Sequence, residues 1–209
     1  QALTVNYGWE DGGTILGGFS SDHLSHTNTD ALAHSGNRAL LIEDNDAADN
    51  DTAQSYVAWI NGLQTGDQVS VDFWAWDAST GNSAPSVRIW AHYTDNPNDV
   101  TDYDGSASGN NTYNIGESTW DNVSHTWTFD AASSFGGDAT GLMIEARFYD
   151  SSTTTTGAAL IDDLTVTVSR ETAIITTPAV SQVPVPAAAW LFGSALVALA
   201  GIGRNRKVH

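Results

Sequence analysis

Three alternating segments hold the residue types best suited to chemistry. Gln68–Trp76 reads QVSVDFWAW, Ser86–Tyr93 reads SVRIWAHY and Gly141–Tyr149 reads GLMIEARFY. One phase of each is apolar: Val69, Val71, Phe73 and Ala75; Val87, Ile89, Ala91 and Tyr93; Leu142, Ile144, Ala146 and Phe148. The opposite phase presents Asp72, Trp74 and Trp76, then Arg88, Trp90 and His92, then Glu145, Arg147 and Tyr149. Three indoles alternating with charged groups are more apolar area than a solvated face usually tolerates. Flat rings flanked by directed hydrogen-bonding groups grip sugar rings by stacking and polar contact. The competing reading is a face covered by a loop, a spacer or a neighbouring subunit. Tyr103 and Tyr113 sit in a long loop that would rim either surface.

Catalytic patterns are weaker. Asp72 and Glu145 offer a carboxylate pair for glycoside hydrolysis, but no strand carries a closely spaced acidic constellation. His23, His26 and His34 fall in a loop with no HExxH helix to hold them. With no Cys, a thiol nucleophile and Cys-ligated metals are excluded. No nucleophile elbow or phosphate loop occurs, so no enzyme activity is expected. One carboxylate stands out. Asp162 shares the phase of Leu160, Leu164 and Val166 and should point into the core. A buried carboxylate must be neutralised or bind a metal. Calcium with Glu10 and loop backbone is one solution, and an ion pair with Arg38 is the other. The acidic runs 43–51 and 95–104 are further calcium candidates, or plain solvated loops.

The elements that must position these groups are strands. Shorter period-two runs at Leu3–Tyr7, Arg38–Glu43, Ser55–Ile60 and Asn122–Phe129, with Ala159–Val168, bring the count to about eight. Gly, Asn, Asp, Ser and Thr separate them, which predicts an all-β antiparallel jelly-roll sandwich over residues 1–169. Of the 209 residues, 41% are hydrophobic, enough for a real core. Residues 1–169 carry 24 carboxylates, three arginines and no lysine, a net of −21. Such a charge makes nucleic acid an improbable partner. A Thr- and Pro-containing spacer fills 170–182. Beyond it the sign reverses: Pro184-Val185-Pro186, a long apolar run and then Arg204, Arg206 and Lys207. The run predicts one apolar helix, slightly short of a membrane span, with Trp190, Leu191, Phe192, Leu196, Val197, Leu199 and Ile202 as its large side chains.

Two stretches resemble known families. Residues 183–209, with their Pro-x-Pro motif, apolar helix and basic end, resemble the PEP-CTERM sorting tail of exported Gram-negative surface proteins. That resemblance implies secretion to the outer surface and processing by a membrane-bound exosortase. Here Val185 replaces the family's Glu, so both cleavage and retention of the tail stay open. A retained tail is expected to anchor the chain, or to assemble it into a homo-oligomer or filament. Residues 5–168 resemble the jelly-roll modules of carbohydrate-binding and galactose-binding-like domains. The matching pieces are Gly8-Trp-Glu-Asp-Gly12, Ser35-Gly-Asn-Arg-Ala-Leu40, Gly62-Leu-Gln-Thr-Gly-Asp67 and Leu160-Ile-Asp-Asp-Leu164. The resemblance implies a structural Ca²⁺ held by Glu10, by backbone carbonyls of Ser35, Gly36, Asn37 and Arg38, and by Asp162. The expected role is non-catalytic: a calcium-stabilised, self-assembling surface or matrix protein, or alternatively an exopolysaccharide-binding lectin-like module.

Overall fold

A computed structural model describes residues 1–45, 53–79, 85–110, 113–116, 118–149 and 157–179. The period-two segments become strands: β1 (Leu3–Tyr7), β2 (Gly17–Phe19), β3 (Leu24–Thr29), β4 (Ala39–Asp44), β5 (Ala53–Asn61), β6 (Gln68–Asp77) and β7 (Ser86–Thr94). After them come β8 (Ser106–Gly109), β9 (Tyr113–Asn114), β10 (Asp121–Thr128), β11 (Gly141–Tyr149), β12 (Ala158–Val168) and β13 (Ile174–Thr176). Among the described residues the helical content is one 3₁₀ turn, Ala131–Ser133, capped by Asp130. All eight expected strands form. The additional ones are two to six residues long, too short to show a period.

The strands build two antiparallel sheets. The first runs β10-β6-β12-β4-β3, with β1 also paired to β12; the second runs β13-β5-β11-β7-β8, with β2 on β5 and β9 on β7. The inward phases of β6, β7 and β11 are those the alternation indicates, and together they form one continuous apolar core. β12 differs. A bulge between Asp162 and Thr165, with Asp163 at φ 49°, shifts its phase part-way along. Ala159 and Ile161 point inward before the bulge, and Leu164, Val166 and Val168 point inward after it. Leu160 and Asp162 therefore stand on the outer side, opposite Trp76 and Trp74. Asp162 is fully buried, but beneath a loop and not inside the sandwich.

Residues 170–179 continue the sandwich. Ile174, Ile175 and Thr176 pair with Asn61, Ile60 and Trp59, and the compact unit spans Gln1–Ala179. The sorting motif at Pro184–Pro186 and the apolar helix through Ile202 lie outside the described residues, as does most of the 43–51 acidic run.

Candidate functional site

The nine residues of the outward phase do not share one surface. Asp72, Trp74 and Trp76 are on β6, on the outer face of the first sheet, whereas the other six are on β7 and β11 of the second. The loop before β4 covers Trp74, and the residue before β10 covers Trp76. His34 stacks on Trp74 with centroids 4.2 Å apart at 11°, and Trp120 packs at 5.6 Å from Trp76. Adding Trp74 and Trp76 to a single binding face is thus corrected: period two cannot say which of two sheets a strand joins. Asp72 and Glu145 are likewise on different sheets, so they form no catalytic carboxylate pair.

The second sheet carries a cleft of about 400 Å³, lined by Phe19, Gln54, Tyr56, Thr101, Tyr103 and Arg147. Phe19 arrives on β2, paired with Gln54 of β5, and Thr101 and Tyr103 arrive on the loop after β7. Phe19 is 60% exposed and Tyr103 53%, although both are aromatic. Tyr56 and Trp59 are both outward although three residues apart, because the β5–β11 ladder shifts register at Ile144/Glu145. With Met143 they form a second apolar cluster on which Leu16 and Val100 pack. Burial, and then the Glu145 carboxylate, push the Tyr56 hydroxyl up to about 12, so it stays a hydrogen-bond donor.

Beneath the cleft, Glu145 is fully buried and fully bonded. Arg147 Nε donates to its Oε2 at 2.6 Å, and His92 Nδ1 lies 2.5 Å from its Oε1. With the Gln54 amide nitrogen turned inward, that group donates to both oxygens, at 3.3 and 3.2 Å. His92 Nε2 faces the backbone carbonyl of Asp102 at 3.1 Å. Oxygens thus flank both ring nitrogens. His92 ties the Tyr103 loop to the sheet and also contacts the Tyr56 and Tyr103 rings, both at 5.2 Å. Of the expected sugar-contacting residues, Arg147 reaches the cleft itself, while Glu145 and His92 support its floor. Arg88, Trp90 and Tyr149 continue the same face. The Arg88 and Arg147 guanidiniums lie 4.3 and 4.6 Å from the Trp90 ring centre, and Arg88 Nη2 donates to Tyr149 Oη at 2.6 Å.

The architecture has known counterparts. The xylan-binding domain CBM22-1 of Paenibacillus barcinonensis Xyn10C matches with TM-score 0.51 at 12% identity, over 78% of this chain and 92% of that one. The Clostridium thermocellum xylanase 10B CBM22-1–GH10 modules, solved with xylohexaose, match with TM-score 0.53 at 17% identity, over 80% of this chain and 28% of that one. The chain shares the β-sandwich fold of carbohydrate-binding modules. At such identities the likeness concerns the fold alone. No family model and no curated protein matches the sequence.

The carboxylates expected to hold calcium are arranged otherwise. Glu10 Oε1 accepts from the backbone N–H of Asn37 at 2.7 Å and of Arg38 at 2.9 Å. These bonds hold its carboxyl below the usual range. Asp162 Oδ2 accepts from His34 and Ser35 N–H at 2.8 and 3.1 Å, and its Oδ1 from Asp163 N–H at 2.7 Å. The loop therefore turns N–H donors toward the acids, where a cation needs carbonyl oxygens. Burial raises the Asp162 pKa and the bonds offset part of that rise. Arg38 is not the partner of Asp162: its Nε donates to Asn28 Oδ1, and the Asn28 amide reaches the carbonyls of Trp9 and Gly13. In this corner backbone N–H groups clasp Glu10 and Asp162, and Arg38 turns to Asn28. Elsewhere, carboxylate oxygens of Asp95, Asp104 and Asp138 gather within 4.8 Å of one another, and Asp102, Asp104 and Asp138 raise the Asp95 pKa.

Proposed function

We propose that this protein is a non-catalytic carbohydrate-binding module that seats a polysaccharide chain in the cleft of the second sheet. The observation that carries this is the lining: two exposed aromatic rings share one cleft with Gln54, Thr101 and Arg147 on an otherwise well-packed sandwich. Exposed rings beside fixed polar groups supply stacking and orientation for sugars. The similar modules bind xylan, which makes xylan oligosaccharides the natural first probe. The likeness of residues 183–209 to an exosortase-processed tail supports a setting at the outer cell surface, with exopolysaccharide as the partner.

Isothermal titration against xylo-oligosaccharides and a broad glycan array tests this. Tyr103→Ala and Phe19→Ala should each weaken binding about tenfold, a cost of roughly 1–2 kcal/mol for one lost stacking platform. Trp74→Ala, on the far sheet under His34, should leave it unchanged. Absence of any glycan ligand, or binding lost in Trp74→Ala alone, would overturn the reading.

A further inference from the structure

Residues 1–169 contain only three arginines and no lysine, against 24 carboxylates. Two of the three, Arg88 and Arg147, are directly opposite one another on β7 and β11. Like charges at facing positions of a ladder repel, and in so acidic a chain any random placement would find carboxylates instead. Arg147 has one, Glu145. Arg88 has none among the described residues: it holds the Tyr149 hydroxyl, lies on Trp90, and leaves its Nε buried without an acceptor. That nitrogen is closed to solvent, so a ligand meets the guanidinium through its Nη atoms. The half-buried face around Trp90 therefore carries an unspent positive charge continuous with the cleft wall at Arg147.

We infer that the glycan is anionic, and that Arg88, beside Arg147, receives the carboxylate of a uronic acid residue while neighbouring sugars stack in the cleft. The inference rests on the cleft reading and adds the ligand's charge class to it. A guanidinium fork matches a carboxylate in two parallel hydrogen bonds. Trp90 holds both guanidiniums beside one ring, so the fork is oriented before the ligand arrives. The protein's overall negative charge opposes a polyanion at long range. At about 0.15 M salt, however, that field is screened beyond roughly 8 Å, and the contact charges decide.

The probes are oligogalacturonate and oligoalginate set against neutral xylo-oligosaccharides of equal length, titrated into the whole chain at 0.15 M salt. The acidic oligomers should bind at least tenfold tighter. Arg88→Gln should cut that preference below about threefold while neutral affinity and melting temperature hold; Arg88→Lys, which keeps charge but not the planar fork, should fall between. Should Arg88→Gln prove unstable, wild type decides through salt: from 150 to 500 mM NaCl, where the long-range repulsion is already screened, the acidic preference should fall while neutral binding stays flat. Equal or tighter binding of the neutral oligomers, or a preference indifferent to salt, overturns the anionic assignment and leaves the cleft standing. If no oligosaccharide of either kind binds, the cleft reading falls with it.

Discussion

At the scale of single residues, a buried polar contact can be read as a pH dependence. His26 on β3 points toward β5, where its Nε2 lies 2.7 Å from Ser55 Oγ. Burial lowers its pKa from 6.5 to about 4. Above pH 6.5 the ring is neutral folded or unfolded, so the full stability is present. Between 6.5 and about 4 the unfolded chain takes up a proton that the folded chain refuses. Stability then falls by up to about 1.4 kcal/mol per pH unit. His125, whose pKa burial also lowers, acts with the same sign. Urea unfolding at pH 7 and pH 4.5 should show wild type losing more stability than His26→Gln, which keeps a polar partner for Ser55 but cannot charge. Equal losses would mean that the ring is hydrated in the folded state. None of this is visible in the sequence, where His26 is one of three histidines in an apparent loop: β3 is six residues of mostly polar type, LSHTNT, and Ser55 belongs to β5 of the other sheet.

Elements show where one-dimensional patterns stop. Long strands with uninterrupted alternation, such as β6, β7 and β11, display their inward phase in the sequence alone. A bulge adds a residue that alternation cannot register: one turns Asp162 of β12 outward against the phase read for it, and another puts Tyr56 and Trp59 of β5 on the same side. Phe19 and Thr101 reach the cleft on a three-residue strand and a loop, for which no period exists. The clasp between Glu10 and the loop before β4 is a nonlocal element of the same kind, and it depends on Gly36. That residue has φ +62°, and a Cβ there would sit 2.3 Å from Glu10 Oε1. Gly36→Ala should therefore cost about 1–2 kcal/mol from backbone strain plus the displaced carboxylate. Glu10→Ala removes the same two bonds, so the double variant should lose clearly less than the sum of the singles. Thermal melts of the four proteins measure the coupling, and strict additivity would show that the clasp is not a unit.

Charge is the property of the whole molecule. All 25 carboxylates belong to the compact unit Gln1–Ala179, with four arginines, which again leaves −21. The charges are not evenly spread: Asp95, Asp102, Asp104 and Asp138 crowd together enough to raise the Asp95 pKa, whereas Arg147 and Arg88 sit side by side on the second sheet. Self-repulsion of this size opposes the compact state. A Debye length of roughly 30 Å at 0.01 M lets it act across the domain, and one of about 3 Å at 1 M confines it to contacts. The melting temperature should therefore rise with NaCl, the reverse of a protein held by surface ion pairs. Calcium separates screening from coordination. Glu10 and Asp162 are already bonded to N–H groups, so calcium at constant ionic strength should raise the melting temperature no more than magnesium does, and a chelator should leave it unchanged. A calcium-specific rise that Glu10→Gln abolishes would restore a metal to that corner and require the loop to turn its carbonyls inward. A calcium-specific rise abolished instead by Asp104→Asn would locate the ion among the crowded aspartates and leave the clasp as described.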